Sequence, residues 1–449
     1  MPLLSSFSGI SAKALGLTSS QFSGVGDGCW INRTSSATKN VDGTSTESDS
    51  SGNVYVVGNT GNTGGGQLDI FIAKYNSSGV IQWQRILGNA SYSDGSYNIA
   101  IDSSSNVYVV GYTQPTGSLA QALVAKYNSS GTIQWQKSLV YNYAPGAGLV
   151  YGQSVAIDSS GNLLITGLAY VGGGGAIDVP VIKMDSSGAV TWQRQLGTSG
   201  VTTSQVGSAI AVDTAGRSTV CGYDQGTTPF SGIVAQYNSS GTLQWQRKLT
   251  YPTYNFFAQH ITTDSSDNIY VLGRTETPAY KLFLIKYNSS GAIQWQRELN
   301  YTTNLLATGV TTDSSGNVYL SLTINALGYG MIIKYNSSGT IQWQRAFTTE
   351  YGYTTLIGNV VGTNYHSTGT YNDGTYQNTL TIKLPTDGSK IGYYQLGTLD
   401  MSYTQFNLTD TTGTLTDSAG TLTDAAGTLT LATTTLTDSA GALTSATLT

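Results

Sequence analysis

The side chains best suited to chemistry are few and scattered along the chain. His260 and His366 are the only histidines and stand in different repeats. The sequence therefore offers neither a cluster of metal-ligating imidazoles nor a histidine-dependent triad. Two carboxylates flanking a glycosidic bond are what glycoside hydrolysis needs. Asp94, Asp178, Asp224, Glu276, Glu350 and Asp373 lie outside the repeated motifs and are the candidates for such a pair, though nothing in their spacing brings two of them together. Cys29 and Cys221 read either as two buried thiols or as one bridge. No catalytic residue, metal ligand or cofactor is assigned.

Other charged groups recur too regularly to be catalytic. Lys74, Lys126, Lys183, Lys286, Lys334 and Lys383, and Arg85, Lys137, Arg194, Arg247, Arg297 and Arg345, each return once per repeat. So do Asp49, Asp102, Asp158, Asp213, Asp264 and Asp313. A catalytic group belongs in one unit; a group present in six is expected to bind neighbouring units together. The Asp-Ser-Ser-Gly-Asn turns offer calcium hard oxygen ligands, but each brings one carboxylate where a tight site collects several. The Asn-Ser-Ser tripeptides at Asn76, Asn128, Asn238, Asn288 and Asn336 match a glycosylation acceptor, and turn chemistry accounts for their repetition.

The elements that must position these residues are written as a repeat of about fifty residues, the period of a propeller or solenoid. One motif runs KYNSSGVIQWQR at Lys74–Arg85 and returns from Lys126, Lys183, Gln236, Lys286 and Lys334, with a decayed copy from Ile382. Its tryptophans, Trp83, Trp135, Trp192, Trp245, Trp295 and Trp343, lie 48 to 57 residues apart and are read as packing between units, with sugar stacking as the alternative. Between them stands DSSGNVYVVG at Asp49 and its relatives from Asp102, Asp158, Asp213, Asp264 and Asp313, with a weak seventh near Gly358–Gly369. Each unit reads as four short strands of Val, Ile, Tyr and Trp punctuated by Ser-Gly-Asn turns. In the second unit these are Tyr97–Ile101, Val107–Gly111, Ala122–Tyr127 and Thr132–Leu139. The fold expected is all-β: a seven-bladed β-propeller of four-stranded blades, with a short N-terminal extension and a C-terminal Leu/Thr heptapeptide-repeat tail.

The pairing of DSSGNVYVVG with a following KYNSSGTIQWQR resembles the seven-bladed β-propeller repeat (SBBP-type) of bacterial surface proteins. The resemblance covers roughly residues 38–397 and implies the fold while saying little about function. A weaker likeness to quinoprotein-like propellers, through D-x-x-G-x-x-x-W, comes without the adjacent cysteines or convergent acids that would hold a quinone.

In such a blade the first-to-second and third-to-fourth turns share one face of the disc. Those are the invariant turns, where Asn and Asp cap the turn and Gly accepts positive φ. The loops on the other face differ in every unit, and variable loops on a fixed scaffold are where binding resides. That face is rich in tyrosine, which offers rigid area and a hydroxyl. The candidate ligand-binding residues are Tyr92, Tyr112, Tyr141, Tyr143, Tyr170, Tyr251, Tyr254, Phe256, Tyr301, Tyr351 and Tyr353. The alternative is that these rings pack onto the blade tops.

Three segments follow: an extension over 1–33 that reads as an attachment segment and includes a truncated echo of the repeat, Trp30-Ile-Asn-Arg33, expected to add an edge strand to the disc; a propeller over 34–397; and a tail over 398–449. In the tail Leu408, Leu415, Leu422, Leu429, Leu436 and Leu443 are spaced seven apart. With no second apolar position and many Thr and Gly, this is not a coiled coil. Each heptad reads as a strand and a turn that needs other chains or a docking partner to bury its leucine, an oligomerisation element, or else as a tail without fixed structure.

Composition narrows the partners. Only 10% of residues are charged and the net charge is −5, which excludes a nucleic-acid binder's basic footprint. No apolar run approaches the roughly twenty residues of a membrane span, and the N-terminus lacks a secretory pattern. A surface-style propeller with a fibre-like tail and no export signal resembles a bacteriophage tail-fibre or virion-surface protein, assembled in the host cytoplasm. The expected function is non-enzymatic: a structural adhesin that joins other proteins of its assembly and binds a host glycan or surface protein. A bacterial cell-surface or secreted adhesin, and a polysaccharide-degrading enzyme, are the alternatives.

Overall fold

The structure is a computed structural model. It describes residues 17–23, 29–36, 39–61, 68–88, 92–115, 117, 119–143, 146–148, 150–170, 176–197, 203–226, 228–276, 280–300, 304–349, 357–372, 376–389, 392–396 and 399–405, with short tail strands at 409–412, 416–419, 423–426, 429–433, 437–440 and 444–446. Among the described residues every helix or strand element is a strand.

Seven antiparallel blades form a ring. Blade 1 comprises Val41–Ser48, Val54–Gly61, Leu68–Tyr75 and Ile81–Gly88. In blade 2 the strands are Tyr92–Ile101, Val107–Pro115, Gln121–Tyr127 and Ile133–Tyr143, longer than expected from sequence at the variable-loop ends. Blades 3 to 6 repeat the pattern from Val150, Gln205, Phe256 and Leu305. The first strand of each blade lines a central channel, and the second is almost wholly buried, as in Val54–Val57 and Val107–Val110. The core lies between blades: Tyr108, Val110 and Val124 of blade 2 pack with Val155 and Ile165 of blade 3.

Blade 7 takes Ile357–Val361, Asn364–Asn372 and Gln377–Pro385 from the C-terminal side and its fourth strand, Trp30–Ser36, from the N-terminal side. Trp30 pairs with Lys383 as Trp83 pairs with Lys74. The echo Trp30-Ile-Asn-Arg33 is therefore the outer strand of the seventh blade and closes the ring, so the propeller begins at Trp30.

The repeated polar residues bind each blade to the next. Every motif Trp donates its indole N–H to a backbone carbonyl in the Ser-Ser-Gly turn, or its blade 7 equivalent, of the following blade, at 3.0–3.3 Å, from Trp83–Ser129 round to Trp30–Ser77. Five arginines donate Nε to the glycine carbonyl of the same turn at 2.6–2.8 Å, and Asn32 does so at 2.8 Å in blade 7. The repeated lysines reach the same turns at 2.9–3.4 Å. Gly131 shows why the turn needs glycine. Its φ is +76°, and a Cβ there would stand 2.6 Å from the Trp83 ring. The repeated aspartates mainly tie up their own turns, with added contacts beyond them. Asp49 accepts the N–H groups of Ser51 and Asn53 on one oxygen, and Asn53 Nδ2, Tyr55 OH and Ser105 Oγ on the other. The two turn types are neighbours, since a Cβ on Gly52 would come within 3.3 Å of Ser77; they share one face, as the repeat predicts.

The tail returns along the rim. Leu399–Gln405 pairs with the outer strand of blade 6, Thr409–Thr412 with blade 5, Thr416–Ala419 with blade 4, Thr423–Ala426 with blade 3, Leu429–Thr433 with blade 2 and Thr437–Ala440 with blade 1, all antiparallel. Thr444–Ala446 then lies parallel to Leu17–Ser23, which flanks Trp30–Ser36 on blade 7. Each heptad advances the chain by one blade. Leu408, Leu415, Leu422, Leu436 and Leu443 lie outside the described residues, and Leu429 opens the strand on blade 2.

Candidate functional site

The face opposite the invariant turns carries two half-buried aromatic groups, both built on the loop-side ends of the inner strands. Blade 2 contributes Tyr97, the extra residue of a β-bulge between Ser96 and Asn98, and Tyr112; blade 3 contributes Tyr151. Their ring centroids lie 5.8 Å (Tyr97–Tyr112), 6.3 Å (Tyr97–Tyr151) and 5.3 Å (Tyr112–Tyr151) apart, the last two edge-on. A bulge re-aims its side chain, and Tyr97 is the most exposed of the three at 37%. Burial, then the neighbouring Tyr112 and Tyr151, push its hydroxyl up to about 12. Tyr170 stands near enough to raise Tyr151 electrostatically.

The second group spans blades 4 and 5. Tyr223 meets Phe257 edge-on at 4.8 Å, and Phe230 meets the same ring at 6.1 Å. Arg274, the cross-strand partner of Phe257, lies 5.5 Å over it and 6.0 Å from the Tyr280 ring. Alongside, Tyr251 and Tyr254 stack at 5.7 Å and 11°, with the Lys281 ammonium 5.5 Å from Tyr251 and 2.5 Å from Glu298.

Of the tyrosines expected on this face, Tyr112, Tyr170, Tyr251 and Tyr254 thus sit in or beside these groups. Tyr92 is half-buried against the blade 1–2 core. Phe256 leaves the set: alternation along its strand turns it inward, where it is fully buried and meets Phe283 at 5.6 Å. Tyr141 and Tyr143 lie on the outer strand of blade 2, with side chains outside the described residues; Tyr301, Tyr351 and Tyr353 are outside them altogether.

The off-repeat carboxylates are spread over separate blades and engaged locally. Asp224 accepts from Gln205 at 2.7 Å and from the Gly226 N–H at 2.8 Å, Asp178 accepts from Gln195, and Glu276 accepts from Asn255 at 3.0 Å. Asp94 is fully buried. Glu350 and Asp373 lie outside the described residues. Among the described residues no three His, Cys, Asp or Glu side chains gather as metal ligands would.

The channel holds a polar pocket of about 340 Å³ lined by Glu47, Asn98, His260 and Asn359 among others. Asn359 Nδ2 donates to Glu47 at 2.9 Å, and Ser48 Oγ meets Nδ1 of the buried His366 at 2.9 Å. Burial raises Glu47 to about 7, against the Ser48 backbone N–H and the Asn359 amide that hydrogen-bond its carboxylate. Burial also lowers His260 to about 4 and His366 to about 3, the latter helped by Lys383, so both imidazoles are neutral. Both features had a sequence signal in the strands rather than the loops. After the second-strand glycine the first five units carry Asn59, Tyr112, Leu168, Tyr223 and Arg274; at the Glu47 position the other units carry Ala100, Ala156, Ala211, Thr262, Thr311 and Asn359.

Residues 82–114 match the family described as the β-propeller repeat. No curated protein matches the chain in sequence. Among solved structures, the chain is similar to the polysaccharide lyase Uly1 (TM-score 0.51, 9% identity, 77% of this chain and 90% of that one). Others are the propeller domain of the Trilobed protease from Pyrococcus furiosus (0.44, 12%, 77% and 95%) and the phage phi92 endosialidase (0.40, 11%, 80% and 71%). At these identities the likeness is one of fold.

Proposed function

We propose that this protein is a non-enzymatic adhesin of a bacteriophage virion, a tail-fibre or surface component assembled in the host cytoplasm, whose aromatic face binds a host glycan or surface protein. The observation that carries the reading is the division of labour between the two faces. Repeated polar groups on one face are spent on turns and inter-blade hydrogen bonds. On the other, half-exposed tyrosines gather at the blade 2–3 seam and between blades 4 and 5 without repeating round the ring. Aromatic faces of this kind stack on sugar rings or anchor a protein partner.

The test is binding of the purified chain to isolated host surface polysaccharide and to intact cells, with Tyr112→Ala and Tyr151→Ala as probes. Loss of at least 1 kcal/mol of binding, roughly fivefold or more, at an unchanged thermal midpoint supports the reading. Unaltered binding in both variants moves the site elsewhere, and no binding by the wild type removes the adhesin. The same incubation separates binding from turnover. A ladder of shortened polysaccharide would make the protein a polysaccharide-degrading enzyme, with Glu47 the first residue to replace.

A further inference from the structure

Arg274 is unlike the arginines of the repeat. Four of those stack on their tryptophans and all five donate to a glycine carbonyl, and Arg217 pairs with Asp213 and Asp267. Among the described residues Arg274 has no carboxylate or carbonyl partner: its Nε is buried without a hydrogen bond, and its contacts are the rings of Phe257 and Tyr280. Two acids at the loop-side ends of blades 4 and 5 are engaged elsewhere, Glu276 by Asn255 and Asp224 by Gln205 and Gly226. Arg274 is half-buried as a residue, as are Tyr223, Phe230, Phe257 and Tyr280 around it.

Resting on the adhesin reading above, we infer that the Arg274 cluster is the subsite for a sugar unit bearing a carboxylate. The free edge of a guanidinium offers a planar fork that fits a carboxylate with two parallel N–H···O bonds. Phe257 below it holds the fork flat and keeps water from one side. The Phe230 and Tyr223 rings beside it present an apolar surface for the C–H face of the same sugar. A neutral sugar would use the rings alone and leave the cation unpaired. The position is also the only one of the first five equivalents, Asn59, Tyr112, Leu168, Tyr223 and Arg274, to carry a charge, so the preference is confined to one sector of the ring.

The experiment measures affinity of the full chain for an acidic host polysaccharide and for the same polymer after its carboxyl groups are reduced to alcohols. The expected result is at least tenfold weaker binding of the reduced polymer by the wild type, and loss of that preference in Arg274→Gln with binding to the reduced polymer retained. Arg274→Lys keeps the charge without the fork and should fall between. Equal binding of both polymers by the wild type, or a preference that persists in Arg274→Gln, overturns the acidic subsite while leaving the adhesin intact. Failure to bind either polymer, or any cell surface, overturns both. Should Arg274→Gln fail to fold, the wild-type comparison with its salt dependence still decides, because pairing of a half-exposed guanidinium weakens as ionic strength rises.

Discussion

Glu47 is a carboxylate whose environment changes its chemistry. Its carboxyl is held near 7 instead of the ordinary 4.5 because the channel wall desolvates it more than Asn359 stabilises its anion. The folded state thus binds this proton more tightly than the unfolded chain, and its ionisation costs stability. That cost is absent below about pH 4.5, grows as pH rises toward 7 and is constant above. Glu47→Gln keeps an acceptor for the Asn359 amide and removes the charge. It should stabilise the protein at pH 8 by on the order of 1–2 kcal/mol, less than the full shift because the open channel screens the charge, and have no effect at pH 4. Denaturant titrations of both proteins at the two pH values check this, and an equal effect at both would refute it. His260 and His366 act in the opposite sense. Held neutral by burial, they withdraw stability as pH falls from 6.5 toward 4 and 3. Both proteins share that acid limb, so it cancels in the comparison. The sequence names these residues but not their environment, because Glu47 and Asn359 lie 312 positions apart and meet only where the ring closes.

Strand existence and blade number were legible because near-identical units must fold alike, and the alternation of two turn types specified four strands per unit. What the repeat only pointed toward, through the echo at Trp30-Ile-Asn-Arg33, is where the seventh blade finds its last strand. The unit from Ile382 decays, and the missing piece is Trp30–Ser36 at the other end of the chain. Its signature, Trp30-Ile-Asn-Arg33, keeps the two groups that matter. Trp30 donates to Ser77 at 3.1 Å and Asn32 to Gly79 at 2.8 Å, standing in for the Trp of every other seam and the Arg of five of them. Trp30 is also more deeply placed than its equivalents, 1% exposed and against Tyr75 at 5.9 Å. Trp30→Ala should therefore cost about 3–5 kcal/mol, more than Trp83→Ala, whose ring is only half-buried. It should also unlatch blades 7 and 1 before the rest melts. Hydrogen exchange would show early loss of protection in Trp30–Ser36 and Gln377–Pro385. Equal destabilisation by both substitutions, with no localised exchange, would mean the seam is no special point of closure.

For the molecule as a whole, seven blades and a seven-residue tail period act together. Tyr403, Asp410, Asp417, Asp424, Leu431 and Asp438 are spaced seven apart, and each faces the same outer-strand position, Phe347, Leu299, Leu249, Leu196, Leu139 and Leu87 in turn. The period was plain in the sequence; its destination was not, because an added strand binds an edge through backbone hydrogen bonds that select no particular side chain. Unpaired edges are templates for association with other chains, and the tail covers the outer edge of blades 1 to 6, while on blade 7 Leu17–Ser23 covers that edge and the tail pairs with Leu17–Ser23. A belt of this kind within one chain predicts a monomeric full-length protein. Truncation after Gly397 should lower the thermal midpoint and cause concentration-dependent self-association, read by light scattering. The sequence alone had equally allowed the tail to be an oligomerisation element, and the same measurement separates the two. An oligomeric full chain with a monomeric truncation would mean that the strands cross between copies, each tail completing a neighbour's rim. The identical register on six blades would serve that exchange as well as the belt, so only the mass distinguishes a belt from a tie.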